Sequence, residues 1–383
     1  MKILFPIGSF YPAQEGGPDN SVYWLNQELN KKGIDTTVIS TLKGIKGVDI
    51  KPGKSVNKYG VGSYFFNYYG KHFACPRLYK WFFENVRSYD VVHITSIFFP
   101  MSFIVAFIAN FKGVRFVVSP RGELDAGALF YGKVKKLFYL KLVRVIFRKA
   151  SFFHATCENE RKQIERYLGK DVKCFVIPNA IGNFEELFEE VDIYEKFGIS
   201  KNSKYILYLG RISPIKAVEN LIEAFASINY DNTVLVIAGD SKNPYGWKLK
   251  QLTRKLGLSE RVKFVGPVQG DIKENLYSKA EIFVLPSHTE NFGNVVIEAL
   301  KRGLPVIAST GTPWKILEEY NCGCWVENKP ETLTKAIKQF LKKDNETKNQ
   351  IKENAKALVS DKFTMEKVIE KYIEAYKKIG VST

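Results

Sequence analysis

Short apolar runs alternate with helical stretches along this chain, and the alternation runs through twice, which leaves few architectures open. Lys2–Pro6 reads as a first strand. Ser21–Lys32 then sets Val22, Leu25 and Leu29 at helical spacing ahead of Gly33, a residue that ends helices readily. The β-branched run Thr36–Thr41 reads as a second strand, and Val91–Thr95, Val114–Ser119, Ser151–Ala155 and Lys173–Ile177 read as further ones. After the junction at Asn179–Ser203, with its acidic Glu185, Glu186, Glu189 and Glu190, the pattern restarts. Strands are expected at Tyr205–Leu209, Val234–Ala238, Val262–Val265, Ile282–Leu285 and Val306–Ala308. Helices around Val218–Ile228, Lys248–Leu256, Asn294–Arg302 and Glu331–Lys342 separate them. Strands that alternate with helices make parallel sheets covered on both faces. Two such series predict an α/β protein of two doubly wound domains, residues 1–180 and 181–366, and a length of 383 residues suits two. Open parallel sheets bind ligands beyond the carboxyl ends of their strands. Two domains facing each other across a cleft would therefore place the chemistry in the residues that follow each strand.

Gly16–Gly17 follows the first strand and precedes a helix. Paired glycines there let backbone N–H groups approach a phosphate, although a plain loop would look the same. No Gly-x-Gly-x-x-Gly follows Pro6 or Leu209, and no Walker-type loop occurs, so nicotinamide and flavin enzymes lose their main signature. No Asp-x-Asp occurs either, and no metal is expected. After Leu209 come Arg211 and Lys216. Without a metal, a leaving diphosphate needs fixed cations, and a guanidinium with an ammonium supplies them. The plainer alternative is two surface cations at a helix start, mildly unfavourable beside the helix dipole unless an anion sits there. After Leu285 comes Pro286–Ser287–His288–Thr289–Glu290–Asn291–Phe292–Gly293, then an apolar helix in which Glu298 is out of pattern. Carboxylates so placed accept hydrogen bonds from hydroxyl pairs of a sugar or ribose. A loop acid at Glu290 and a dipole partner at Glu298 are the alternatives, but neither explains the whole string.

Glu290-x7-Glu298 after Pro286–Ser287, continued by Ala299–Leu300–Lys301–Arg302–Gly303–Leu304–Pro305, resembles the retaining glycosyltransferases of family 4. Asp90–Val91–Val92–His93, Ile177–Pro178–Asn179–Ala180, Ala238–Gly239–Asp240 and Phe264–Val265–Gly266 stand in the same order as in that family, so the resemblance covers nearly the whole chain. It implies the GT-B fold, two Rossmann-like domains facing an interdomain cleft, and metal-independent transfer of a hexosyl-type sugar with retention. The UDP- or GDP-linked donor would be a substrate, and no cofactor is implied. Arg211 and Lys216 would hold the donor diphosphate and Glu290 the sugar hydroxyls. Asn291, Phe292 and Gly293 would offer backbone contacts, Glu298 would hold the ribose, and Gly16–Gly17 would close over the phosphates. The last helix, about 367–383, would cross back onto the first domain. Arg121 stands where many members carry His; a guanidinium stays protonated, so it can bind an anion or orient a hydroxyl but not act as a base. His93 is the nearest alternative contact, but it ends a strand, a place that favours a buried structural histidine over a ligand contact. Gly311–Thr312–Pro313–Trp314 resembles a subset that assembles bacterial surface polysaccharide: O-antigen (lipopolysaccharide), capsule or exopolysaccharide.

Charge points to an anionic partner. Residues 1–180 hold 27 Lys/Arg against 13 Asp/Glu, whereas residues 181–383 hold 30 against 27. Tyr59–Phe83 contains eleven aromatics, and Gly132–Lys149 has seven cations, no acid, and apolar residues between them. Basic amphipathic segments lie on anionic membranes. A lipid-diphosphate-linked or other glycan acceptor at the cytoplasmic face of the inner membrane is therefore expected, although core packing would explain each segment singly. Five scattered cysteines suit a reducing cytoplasm, and no signal peptide or spanning helix is expected. A basic nucleic-acid-binding protein is the main rival, without an RNA-binding or zinc signature to support it, and no nucleic acid is expected. A sugar-nucleotide epimerase or a phosphorylase on the same fold is the second.

Overall fold

A computed structural model describes the chain apart from residues 14–16, 46–47, 58–59, 71–73, 131–132, 183–187, 229–231 and 381–383. The chain forms two compact units, Met1–Asn183 with Thr364–Thr383, and Phe184–Phe363.

The first unit opens with β1 (Lys2–Pro6), α1 (Gly17–Lys31), β2 (Asp35–Thr41), β3 (Ser55–Val56) and β4 (Gly62–Phe66). It continues through α2 (Pro76–Asn85), β5 (Val91–Thr95), α3 (Pro100–Phe111), β6 (Arg115–Ser119) and α4 (Ala126–Phe130). Then come α5 (Lys133–Phe147), β7 (Phe152–Ala155), α6 (Glu158–Leu168) and β8 (Cys174–Val176). The sheet order is β3-β4-β2-β1-β5-β6-β7-β8, parallel except where β3 meets β4. Every residue of β5 and all but the first of β1 are buried, as strands covered on both faces must be.

The second unit contains α7 (Ile193–Phe197), β9 (Lys204–Leu209), α8 (Val218–Ala226), β10 (Thr233–Ala238) and α9 (Pro244–Lys255). It runs on through β11 (Val262–Gly266), α10 (Gly270–Lys279), β12 (Ile282–Leu285), α11 (Asn294–Lys301) and β13 (Val306–Ser309). It closes with α12 (Ile316–Glu319), β14 (Gly323–Val326), α13 (Pro330–Leu341) and α14 (Asn345–Lys362). Its sheet is all parallel, in the order β11-β10-β9-β12-β13-β14. A last helix, α15 (Met365–Lys378), packs on α1 in the first unit and buries Val368, Ile369, Tyr372 and Tyr376 with Phe5 and Phe10. The opposite face of that sheet buries Phe82, Val105, Val143 and Ile164 from α2, α3, α5 and α6.

Expected strands and helices fall within a few residues of these elements. Two strand regions escape the sequence pattern. β14 is only Gly-Cys-Trp-Val, and a Cβ on Gly323 would lie 2.0 Å from the Val306 carbonyl oxygen, so close strand approach requires the glycine that shortens its apolar run. β3 and β4 are the other, and β4 with most of α2 lies within the aromatic segment, which corrects its expected membrane role. Phe65 and Phe82 are fully buried, Phe66 nearly so, and Tyr64 packs on Trp81 with ring centroids 4.8 Å apart. Most described aromatics there are core; Tyr68, Tyr69 and Phe83 remain exposed, and Tyr59, Lys71 and Phe73 lie outside the described residues. Glu185 and Glu186 of the acidic junction also lie outside them.

Candidate active site

In the second sheet β9 has β10 on one side and β12 on the other. The winding reverses there, so the loops after β9 and β12 part and leave a crevice at their carboxyl ends. Those loops carry the candidate residues. The His288 N–H donates to the Ile215 carbonyl at 2.9 Å, joining the loops. Lys216 donates to the Glu290 carboxylate, and their side chains are only 13% and 16% exposed. Two groups that the sequence assigns to different parts of a ligand are thus each other's counter-ions. Arg211 stands exposed on the same loop, whose turn is held by the Tyr208 hydroxyl donating to the Arg211 carbonyl at 3.0 Å.

Glu298 is out of pattern for a reason the sequence does not display. Lys273 on α10 lies 3.3 Å from its Oε1, and the Tyr277 hydroxyl donates to Oε2 at 3.1 Å. Burial first, and then the Glu298 charge, hold the Tyr277 phenol far above its ordinary range. The carboxylate is oriented from one side and keeps some exposure on the other. Asn291 and Phe292 lead into Gly293, the N-cap of α11, which has the left-handed φ of 84°. The segment after β13 braces this loop: Ser309 Oγ donates to the Ser287 carbonyl, and the Glu290 N–H donates to the Gly311 carbonyl at 3.0 Å.

The first unit has its own switch point, between β1 and β5. A cavity of about 400 Å³ opens there, lined among others by Ser9, Asp19, Lys43, Phe99, Arg121 and Glu123. Arg121 takes a left-handed φ of 55°, donates from Nη1 to Asn179 Oδ1, and leaves a buried Nε without a hydrogen-bond partner. Glu123 accepts from Ser96 Oγ at 2.7 Å and from the N–H groups of Ile97 and Phe98 at 2.5 and 3.0 Å. Burial is the main cause that pushes its pKa up, against those donors. Ser9 and Glu123 carry no sequence pattern that would have marked them; only the sheet order gathers them. Gly17 begins α1 rather than lying in a loop, and its carbonyl accepts from Ser21 Oγ at 2.8 Å. Gly16 lies outside the described residues.

His93 is corrected from a candidate contact to a buried structural residue, 1% exposed, whose two ring nitrogens are both occupied. The network has one consistent direction. His154 Nε2 lies 2.8 Å from the Ile177 carbonyl, which can only accept, so His154 carries its proton there and accepts from Ser119 Oγ at Nδ1, 2.8 Å away. Ser119 then accepts from His93 Nε2 at 2.6 Å, and His93 Nδ1 accepts from the Tyr376 hydroxyl at 2.6 Å. This chain ties α15 to β5, β6 and β7. Burial first, then the Arg121 charge, lowers the His93 pKa to about 3 and holds His154 well down too. Above pH ~6.5 both histidines are neutral folded or unfolded; below it only the unfolded chain takes the protons, so stability falls as pH drops from ~6.5 toward 3. Tyr376→Phe should cost about 1–3 kcal/mol in urea unfolding at pH 7.5, because it leaves a buried acceptor unmet. No loss of stability in Tyr376→Phe would disprove the network.

Two Rossmann-like α/β units, each with polar loops at its switch point, make up the GT-B class of architecture. Residues 16–180 match the family described as glycosyl transferase 4-like domain, and residues 190–358 match glycosyl transferases group 1. The chain belongs to the glycosyltransferases of the family 4 type. An uncharacterized glycosyltransferase of Methanocaldococcus jannaschii is 33% identical over 193 residues, 49% of this chain and 48% of that protein. The N-acetyl-alpha-D-glucosaminyl L-malate synthase of Bacillus anthracis is 29% identical over 187 residues, 48% of this chain and 47% of that one. The chain thus spans about half the length of these curated relatives. Among solved structures, Anabaena HepE in complex with UDP-glucose superposes with a TM-score of 0.77 at 19% identity, covering 99% of this chain and 100% of that one.

Proposed function

We propose that this protein is a retaining, α-forming hexosyltransferase that moves a sugar from a UDP- or GDP-linked donor to a lipid-diphosphate-linked or other glycan acceptor in surface-polysaccharide synthesis. The observation that carries this reading is the grouping of Arg211, Lys216 and Glu290 around one switch point. In the reaction the bond from the anomeric carbon to phosphate oxygen breaks, and a bond from an acceptor oxygen to that carbon forms on the same face. The acceptor proton leaves with the nucleoside diphosphate. Arg211 and Lys216 stabilise the charge that develops on that leaving group, Glu290 accepts from the sugar hydroxyls, and Glu298 accepts from the ribose. The donor's diphosphate must first draw Lys216 from Glu290. HepE was solved with UDP-glucose, which supports a nucleotide-sugar donor. The first-unit cavity, with Lys43 and Arg121, is the acceptor site in this reading.

The membrane is proposed from α5. Its described residues contain no acid, and Val134, Phe138, Leu142 and Val145 stand 62–82% exposed at successive turns, with Lys133, Lys135, Lys141 and Arg144 exposed among them. Phe107 and Phe111 of the neighbouring α3 are exposed as well. An apolar stripe edged by cations fits an anionic bilayer surface, where the protein would be a peripheral guest on the cytoplasmic leaflet. Among the described residues no helix is long and apolar enough to cross a membrane.

Calorimetric titration tests the donor assignment. Arg211→Ala and Lys216→Ala should weaken binding of the nucleoside diphosphate by about ten- to a hundredfold, a charged hydrogen bond contributing roughly 1.5–3 kcal/mol, and barely change binding of the nucleoside. Equal losses for both ligands would refute the assignment. Turnover should also survive EDTA, since fixed cations take the metal's place.

A further inference from the structure

We propose that Trp314 is a positioning residue for the donor, acting through the Phe292–Gly293 peptide; the assignment rests on the donor reading above. Trp314 is 1% exposed, and its ring packs against Phe292 and Phe363 with centroids 5.2 Å away in each case. Its indole N–H donates to the Phe292 carbonyl at 2.5 Å. In a planar trans peptide the carbonyl and the following N–H point in opposite directions. Holding the Phe292 oxygen against the buried indole therefore turns the Gly293 N–H away from it. That N–H donates no hydrogen bond to any described residue.

Gly293 is pinned in this orientation from three sides. Its φ of 84° belongs to the left-handed region. A Cβ there would lie 3.1 Å from Glu290 Cγ, 3.3 Å from Leu285 Cδ2 and 3.4 Å from the indole nitrogen. Indole, peptide and catalytic carboxylate are therefore packed as one body. The segment that carries the indole also receives the Glu290 N–H at Gly311, and a second indole, Trp325, donates from Nε1 to the Thr312 carbonyl at 2.9 Å. Of these two indoles, only Trp314 bonds the loop that ends at the α11 N-terminus. Its consequence is an amide donor and a carboxylate presented together, as a ligand with an anionic group next to a hydroxyl-bearing ring requires.

The test compares Trp314→Phe, which keeps an aromatic ring and loses the N–H, with Trp325→Phe, which loses an indole bond to the same segment without touching Phe292. UDP, GDP, uridine and guanosine are titrated against each, with melting curves alongside. Trp314→Phe should lose about three- to tenfold in affinity for the nucleoside diphosphate, the worth of one neutral hydrogen bond, with nucleoside affinity unchanged. Trp325→Phe should hold both affinities. If Trp314→Phe is too unstable to titrate, Gly293→Ala must show the same selective loss. Unchanged diphosphate affinity, or equal loss on nucleoside and diphosphate, overturns the positioning role. Arg211→Ala separates the two levels. Where it discriminates diphosphate from nucleoside and Trp314→Phe does not, only the positioning role falls. Where wild type binds UDP and GDP no better than the nucleosides, the donor reading falls and takes this proposal with it.

Discussion

Glu290→Gln should cut turnover by about ten- to a hundredfold while nucleoside diphosphate affinity stays level or rises. The two effects have separate causes. The carboxylate's hydrogen bonds to the transferred sugar matter most in the transition state, and a charged hydrogen bond is worth roughly 1.5–3 kcal/mol. The same carboxylate also pairs with Lys216, so its neutralisation loosens the hold on the ammonium that would meet the diphosphate. Glu298→Gln should behave differently. Ribose does not react, so the loss is uniform binding, seen as a higher KM for the donor at nearly constant kcat. Lys273 would be left short of a partner, and Tyr277 would keep an amide oxygen to donate to. Steady-state kinetics of the two variants decide the matter, and a reversed pattern would mean that the two glutamates have exchanged roles.

Binding to anionic vesicles should collapse when Lys133, Lys135, Lys141 and Lys149 are all changed to Gln, by about a thousandfold at low salt. The figure follows from about 1 kcal/mol per cation near an anionic surface. These four are exposed, whereas Lys136 donates to the Ala128 carbonyl at 2.5 Å and Arg144 to the Leu168 carbonyl at 3.2 Å. Salt should weaken the wild type in the same way, since the Debye length is about 8 Å at physiological ionic strength. The apolar stripe adds a component that salt does not screen. Phe138→Ser with Leu142→Ser should lower partition by a further factor that persists in high salt, each buried side chain being worth roughly 1.5–3 kcal/mol. Nucleotide binding should be unchanged in both variants, because its residues belong to the other unit. Equal partition onto neutral and anionic vesicles, or none at low salt, would reject membrane docking and make a soluble acceptor the better account of the first unit.

Much of this protein was determined locally, and those parts were legible in the residues. Buried parallel strands must be short apolar runs, so β1, β5, β9, β10 and β12 appear as such. The residues after β9 and β12 were conspicuous because Arg211 with Lys216 follows one strand end, and Glu290 with the out-of-pattern Glu298 follows the other. Tertiary structure decided what depends on partners distant in the chain. Whether Tyr59–Phe83 faces lipid or core depended on β4 finding β2, which buried Phe65. Whether His93 meets a ligand depended on α15, more than 270 residues away, bringing the Tyr376 hydroxyl to it. The Lys216–Glu290 pair spans 74 residues and the Trp314–Phe292 bond spans 22. Periodicity within one segment reports the face that segment buries, since that is set by its own side-chain spacing. It carries no information on which polar group of another segment will arrive, because that is set by strand order, and strand order is settled only when the sheet assembles.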